Sequence, residues 1–194
     1  MTPIVLENIS KAYGGVGVLE RISLTLPSGP TCLMGPSGIG KTTLAYIVAG
    51  LTAPDSGTMT GRENKKISLV FQEDRLLEWE SALSNVLFVT PNAKKYAEKA
   101  KSLLTQAGLA NSMHKKAAEL SGGMKRRVAL CRALIANYDL LILDEPFKGL
   151  DEETKPGIIQ MVQQHALSTG DKILLCITHD PGEADALGGQ RIHL

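Results

Sequence analysis

Thr31-Cys32-Leu33-Met34-Gly35-Pro36-Ser37-Gly38-Ile39-Gly40-Lys41-Thr42-Thr43 is the stretch on which the fold turns. Its first four residues read as a short buried strand, following the chain break at Pro27-Ser28-Gly29-Pro30. Gly35 to Gly40 form a glycine-rich loop, and a helix is predicted from about Lys41 to Gly50. A glycine-rich turn can match G-x-x-x-x-G-K-[ST] by chance, but strand, loop and helix in that order form the setting in which the pattern holds phosphate. Backbone N–H groups of the loop turn inward, and the positive end of the helix faces the anion. Lys41 would reach the β- and γ-phosphates of a nucleotide and the Thr42 hydroxyl would ligate Mg²⁺. Gly35, Pro36, Ser37, Gly38, Ile39, Gly40, Lys41, Thr42 and Thr43 are therefore the candidate nucleotide-binding residues of this segment.

Upstream, Ile4 and Leu6, then Val18 to Leu26, alternate as strands around a turn at Gly14, Gly15 and Gly17. Ile22, Leu24 and Leu26 share one face and Ser23 and Thr25 the other. Downstream, Pro54-Asp55-Ser56-Gly57 is a turn, and Thr58–Thr60 and Ile67–Phe71 read as strands. From about Leu76 to Leu120 the pattern is helical, with segments at Ser81–Phe88 and Ala93–Ala107. Lys94, Lys95, Lys99 and Lys101, with Glu98 among them, read as a solvated face there. Ser121 is a good N-cap for a helix to about Ala136, whose Val128, Cys131, Leu134 and Ile135 fall on one apolar side. Strands at Leu140–Leu143, Lys172–Ile177 and Gln190–His193 then alternate with helices at Glu152–Leu167 and Pro181–Leu187. Alternating strands and helices predict an α/β fold, a P-loop NTPase with a mostly parallel sheet core and an N-terminal antiparallel β portion. A helical subdomain at about 76–120 would be inserted between core segments 1–75 and 121–194. The 194 residues fit a single domain at about 150 residues per domain.

Composition narrows the function. With 21 Lys+Arg against 20 Asp+Glu, no basic face for nucleic acid is expected. No apolar run reaches the roughly 18 residues that span a bilayer, and Met-Thr-Pro-Ile-Val-Leu-Glu lacks the features of a secretory signal, so a cytosolic location is expected. Cys32, Cys131 and Cys176 lie far apart in apolar runs and read as reduced core residues.

Leu140-Leu141-Ile142-Leu143-Asp144-Glu145 supplies the second chemical element. A buried strand delivers adjacent carboxylates at its C-terminal end, where open α/β sheets bind ligands. Asp144 is placed for the Mg²⁺ shell and Glu145 to polarise an attacking water; the bland alternative is an exposed acidic turn.

At this point the chain resembles the nucleotide-binding subunits of ATP-binding cassette (ABC) transporters. Leu120-Ser121-Gly122-Gly123-Met124 resembles their signature motif, which most members end in Gln. Open glycines and a serine hydroxyl at a helix N-terminus make an anion site, and the resemblance implies that it closes over the γ-phosphate held by an opposite subunit. Gln72 in Val70-Phe71-Gln72-Glu73 resembles the Q-loop glutamine that senses Mg²⁺ and the attacking water. Gly149-Leu150-Asp151 resembles the D-loop, and His179 in Thr178-His179-Asp180 the switch histidine at the γ-phosphate. Tyr13 resembles the aromatic that stacks on adenine, although a hairpin aromatic packing on the sheet would look the same. Met124 removes a polar group from the signature, and Gly149 stands where Ala is common. The end at Leu194 implies no appended regulatory domain.

Phe71-Gln72-Glu73-Asp74-Arg75-Leu76-Leu77-Glu78-Trp79 and Glu145-Pro146-Phe147-Lys148-Gly149-Leu150-Asp151 look most like the importer ATPases of the nitrate, sulfonate, taurine and bicarbonate type. The resemblance implies an ATPase working as a head-to-tail dimer, a homodimer with a second ATPase subunit, that binds ATP and Mg²⁺. It further implies a separate membrane permease, an extracytoplasmic solute-binding protein, and peripheral location on the cytoplasmic face of the membrane. Glu145 would be the base, with Lys41, His179 and Gln72 acting at the γ-phosphate. Leu76, Leu77 and Trp79 are candidates for contact with the permease, or else core of the helical part. A soluble non-transport ABC ATPase and a P-loop kinase are the alternatives. The first needs a long coiled-coil insertion or two cassettes in one chain, and Gly50 to Leu120 has room for neither; the second has no use for Ser121-Gly122-Gly123 beside a helix.

Overall fold

The structure, a computed structural model, describes residues 2–167 and 170–194; Met1, Ser168 and Thr169, which fall within the expected domain, lie outside the described residues. Two sheets make its framework. β1 (Ile4–Tyr13), β2 (Val16–Leu26) and β4 (Ser56–Thr60) form an antiparallel sheet in the order β2-β1-β4. β3 (Gly29–Met34), β5 (Ile67–Val70), β6 (Leu140–Asp144), β7 (Ile173–Ile177) and β8 (Gln190–His193) form a parallel sheet in the order β5-β6-β7-β3-β8. The two sheets match the mostly parallel core and antiparallel N-terminal portion read from the sequence.

β6 and β7 are buried at every position, as parallel strands covered on both faces must be. Period-two alternation divides their side chains between two layers. Leu140 and Ile142 pack with Leu44 and Ile47 of α1 (Lys41–Ala49) and with Leu6 and Leu26 of the antiparallel sheet. Leu141 and Leu143 face the other layer, with Leu130 of α4 (Gly122–Ile135), Ile158 of α5 (Lys155–Ala166) and Leu187 of α6 (Pro181–Leu187). Between β5 and α4 run α2 (Ala82–Leu87), α3 (Ala93–Gln106) and 3₁₀ turns at Ala110–Ser112 and Ala117–Glu119; the sequence pattern did not signal these turns. Side chains cap α2, α3, α4 and α6: Ser81 accepts from Ser84 N, Asn92 from Lys95 N, Ser121 from Met124 N, and Asp180 from Gly182 N.

Some boundaries move for identifiable reasons. β3 starts at Gly29, not Thr31: Gly29 N donates to Lys172 O at 2.8 Å, toward β7. Pro30, which lacks an N–H, turns its nitrogen to the β8 side, where pairing begins only at Thr31. α5 starts at Lys155, not Glu152, because the Asp151 carboxylate holds Thr154 N in a turn at 2.7 Å and Pro156 follows in the first helical turn. β5 stops at Val70, one residue before Phe71. α4 was expected to bury one side, yet Val128 to Cys131, Ala133 to Ile135 and also Arg126 are buried, because it lies between the sheet and α2, α3 and α5. Lys94, Lys95 and Lys99 are exposed, while Ala100, Leu103 and Leu104 supply the buried stripe of α3. Cys32, Cys131 and Cys176 are free and buried.

Because β3, β5, β6 and β7 all run parallel, their C-terminal ends open on one edge. That edge presents the Gly35 loop after β3, Gln72 after β5, Asp144-Glu145 after β6 and Thr178-His179 after β7.

Candidate nucleotide-binding and hydrolytic site

The loop from Gly35 to Gly40 bends over the N-terminus of α1 and encloses a cavity of about 250 Å³. Ser37, Gly38, Gly40, Lys41, Thr42 and Thr43 line it from the loop and helix, and Gln72, Asp144 and Glu145 from the strand ends. Gly35, Pro36 and Ile39 shape the loop but do not line the cavity, and Ile39 is 41% exposed. Lys41, largely buried, donates from Nζ to Gly35 O and Pro36 O, both at 2.8 Å. Its ammonium thus rests on loop carbonyls at the place where an anion would compete for it.

Thr42 Oγ1 donates to Asp144 Oδ2 at 2.9 Å, tying the helix start to the end of β6. Asp144 is buried, and that burial raises its pKa above the ordinary aspartate value against the hydrogen bond from Thr42 and the nearby Arg126 and Lys41 charges. Glu145 departs from strand geometry at φ 47°, and its N–H donates to Ile177 O at 3.0 Å. Its carboxylate has Lys148 Nζ 2.9 Å from Oε2 and His179 Nδ1 3.5 Å from Oε1. Burial pushes the Glu145 pKa up, but the hydrogen bond and charge of Lys148, joined by His179, outweigh it and leave the pKa below the usual glutamate value. His179 itself is exposed, held beside a turn in which Asp180 N donates to Thr178 Oγ1 and Thr178 Oγ1 donates to Glu183.

Ser121, Gly122 and Gly123 sit apart from this cavity. Gly122 and Gly123 line a second one, of about 210 Å³, with Gln72, Asp74, Arg126, Lys148 and Gly149; among the described residues no member of the Gly35–Thr43 segment joins it. Gln72 belongs to both cavities. The Ser121 hydroxyl accepts from Met124 N at 3.3 Å, so it caps α4 while remaining exposed. Asp151 is exposed, and the hydrogen bonds that it accepts from Thr154 lower its pKa. Tyr13 ends β1 half-exposed with the Lys11 ammonium 5.5 Å from its ring centre, and it does not line the cavity; Val18 does. The structure therefore gathers Lys41, Thr42, Gln72, Asp144, Glu145 and His179, and leaves Tyr13, Asp151 and Ser121-Gly122-Gly123 on other surfaces.

Two residues were missed. Lys148 pairs with Glu145, and its spacing of three residues across a turn was the available signal. Arg126 is buried on α4; it shares a helix face with Leu130 and Ala133, but within Lys125-Arg126-Arg127 that spacing alone does not set it apart from its less buried neighbours.

Among the candidates for permease contact, Leu76 packs against the core layer of α4 while Trp79 is 70% exposed, as Phe88 and Val89 are exposed too.

A glycine-rich loop on a helix N-terminus, facing paired carboxylates across the C-terminal edge of a parallel sheet, defines a P-loop nucleoside triphosphatase. The ABC transporter family model matches residues 19–148. The aliphatic sulfonates import ATP-binding protein of Pectobacterium atrosepticum is 42% identical over 98% of this chain and 73% of its own length. The taurine import ATP-binding protein of Jannaschia sp. is 38% identical over 99% of this chain and 77% of its own. A solved dimeric bacterial ABC transporter cassette superposes with a TM-score of 0.87 at 28% identity, covering 98% of this chain and 94% of that one. A post-hydrolysis form of an ATP-binding cassette, bound to ADP and Pi, superposes with a TM-score of 0.85 at the same 28% identity and the same coverage. The chain belongs to the ABC transporter family and is an ATPase of that family.

Proposed function

We propose that this chain hydrolyses ATP as the motor subunit of an importer, in a head-to-tail dimer whose closure and opening drive a separate membrane permease. The observation that carries the reading is the separation of its two candidate anion-binding surfaces. Lys41, Thr42, Asp144 and Glu145 converge on one cavity, while Gly122 and Gly123 open on another that the chain's own loop does not line. A second copy brings the two together over one triphosphate. The partners that this implies are a second ATPase subunit, the permease, and a solute-binding protein on the far side of the membrane. The chain would then sit on the cytoplasmic face; no helix among the described residues is long and apolar enough to cross a bilayer. In this reading segments 1–75 and 121–194 are the nucleotide-binding core, and about 76–120 is the helical subdomain facing the permease.

Magnesium fits the donors present: Thr42 Oγ1 and Asp144 Oδ2 are hard oxygens 2.9 Å apart at the base of the cavity, and Gln72 lines it. These three residues would hold the ion, which supplies charge neutralisation to the phosphates. Lys41 leaves the Gly35 and Pro36 carbonyls for the β- and γ-phosphate oxygens. Glu145 accepts the proton of the water that attacks the γ-phosphate in line. His179, 3.5 Å from the same carboxylate, holds phosphate and water in register. Tyr13, outside the cavity lining at the end of β1, would stack on adenine, and Asp151 would meet the opposite subunit. Phosphate release from Mg-ATP with no added acceptor tests the reading: the wild-type chain turns over and Glu145→Gln falls about 10²-fold or more. Equal rates in the two proteins would refute the base assignment.

A further inference from the structure

Arg126 carries its charge into the interior, only 3% exposed, on the same helix that begins with Ser121-Gly122-Gly123. A guanidinium offers five N–H donors in a rigid planar fork. Here the fork grips two separate chain segments. On one side Nη1 donates to Phe71 O at 2.6 Å and Gln72 O at 3.3 Å, and pairs with Asp74 Oδ1 at 3.1 Å. On the other, Nη2 donates to Asp144 O and Glu145 O, each at 2.6 Å, and Nε to Pro146 O at 3.1 Å.

The second set bears on the geometry of Glu145. An extended residue sets its own carbonyl and the preceding one on opposite sides of the chain, whereas a residue in the left-handed region sets them on the same side. Glu145 has φ 47°, and both carbonyls meet one nitrogen of Arg126. The guanidinium thus satisfies the bend that turns the Glu145 side chain off β6 toward the cavity. The first set seats the backbone at Gln72, so the residues beneath the base and beneath the Q-loop side chain share one anchor.

We propose, resting on the reading of the chain as an ATPase, that Arg126 is a positioning residue for hydrolysis. It holds Glu145 and Gln72 in register with one another and ties both to the helix bearing Ser121-Gly122-Gly123. It lines the Gly122-Gly123 cavity but not the cavity of the phosphate loop, and its donors go to backbone carbonyls and to Asp74, so its loss reduces turnover through Glu145 and Gln72 and spares ATP binding at that loop. A lysine retains charge and most of the volume, but a single ammonium cannot reach carbonyls on both segments.

The test compares Arg126→Met and Arg126→Lys with the parent chain. Hydrogen exchange of nucleotide-free protein should speed up at 71–74 and 144–147 together in each variant. Single-turnover phosphate release should fall about tenfold or more, with the ATP dissociation constant changed less than about threefold. Introduced into Glu145→Gln, Arg126→Met should bring a further loss clearly smaller than its loss in the parent chain, leaving only the part that acts through Gln72, because residues that act as a unit are not additive. A general loosening of the fold would instead multiply the two losses, and that result overturns the proposal. So does exchange that rises at one segment alone or at neither, or a loss of ATP affinity parallel to the loss of rate. Should Arg126→Met fail to fold, Arg126→Lys decides by the same readings. If the parent chain releases no phosphate, the ATPase reading fails on its own, and the paired exchange still decides whether Arg126 joins the two segments.

Discussion

Gly40→Ala puts the packing of the phosphate loop to a quantitative test. Gly40 precedes α1 at φ 103°, and a Cβ there would stand 2.7 Å from Leu19 Cδ2 and 2.8 Å from Val18 O. Neither neighbour can yield cheaply: Leu19 is 2% exposed within the layer between the two sheets, and Val18 O belongs to the backbone of β2. The left-handed backbone alone costs about 1–2 kcal/mol for a residue with a Cβ. Overpacking adds about 1–3 kcal/mol, for a sum of about 2–5 kcal/mol. At about 2–4 °C per kcal/mol for a chain of this size, the melting temperature should fall by about 4–20 °C. Gly38→Ala is the internal control, since Gly38 has φ 83° but a Cβ there meets nothing within 4 Å. It should show the backbone cost alone, about 2–8 °C. Scanning calorimetry of nucleotide-free protein reads both, and the ATP-dependent shift in melting temperature then reports the cavity, which Val18 lines. A Gly40→Ala protein no less stable than Gly38→Ala would refute the packing argument.

Asp144→Asn should raise the melting temperature of the nucleotide-free chain near neutral pH while abolishing turnover. Burial holds the Asp144 pKa above its ordinary value, so the neutral isostere removes a charge that the fold disfavours; calorimetry showing a lower melting temperature would contradict this. Lys148→Ala should move the acid limb of the ATPase pH profile upward, because Lys148 helps hold the Glu145 pKa below its usual value. With Lys148 59% exposed, the pair is worth about 0.2–1 kcal/mol, or about 0.1–0.7 pH unit. The sign carries over to stability: Glu145 contributes above the unfolded-state carboxylate pKa, and the contribution is lost as pH falls through the lower folded pKa, so Lys148→Ala narrows that window. Rates measured across the acidic range that show a fixed limb, or one moving down, would count against the pair.

The parts of the fold and site that could be read from the chain are those written in local chemistry. The loop before Lys41, the cap at Ser121 and the apolar run ending at Asp144 each announce their element within a few residues. Parallel pairing then brings Gln72, Glu145 and His179 to the Lys41 edge, although they are remote in sequence. What stayed hidden depends on packing between distant segments. Arg126 stands between Lys125 and Arg127, so its neighbourhood reads as a wet basic turn, whereas its partners lie more than fifty residues upstream at Phe71 and Gln72 and well downstream at Asp144 to Pro146. The start of β3 at Gly29 depends on which side of Pro30 carries a neighbouring strand. Leu76 became partly buried against the core layer that contains α4, and Trp79 stayed exposed. The separation of the Gly122-Gly123 surface from the phosphate loop, by contrast, is what the resemblance already implied.

That separation underlies the central claim, and the mass of the particle in solution tests it most directly. Light scattering on Glu145→Gln should show one chain without nucleotide and two with Mg-ATP, reverting to one when a bulky anionic residue is placed at the signature by Gly122→Asp. A mass that stays at one chain under saturating Mg-ATP, or a dimer indifferent to both nucleotide and Gly122→Asp, would contradict the account.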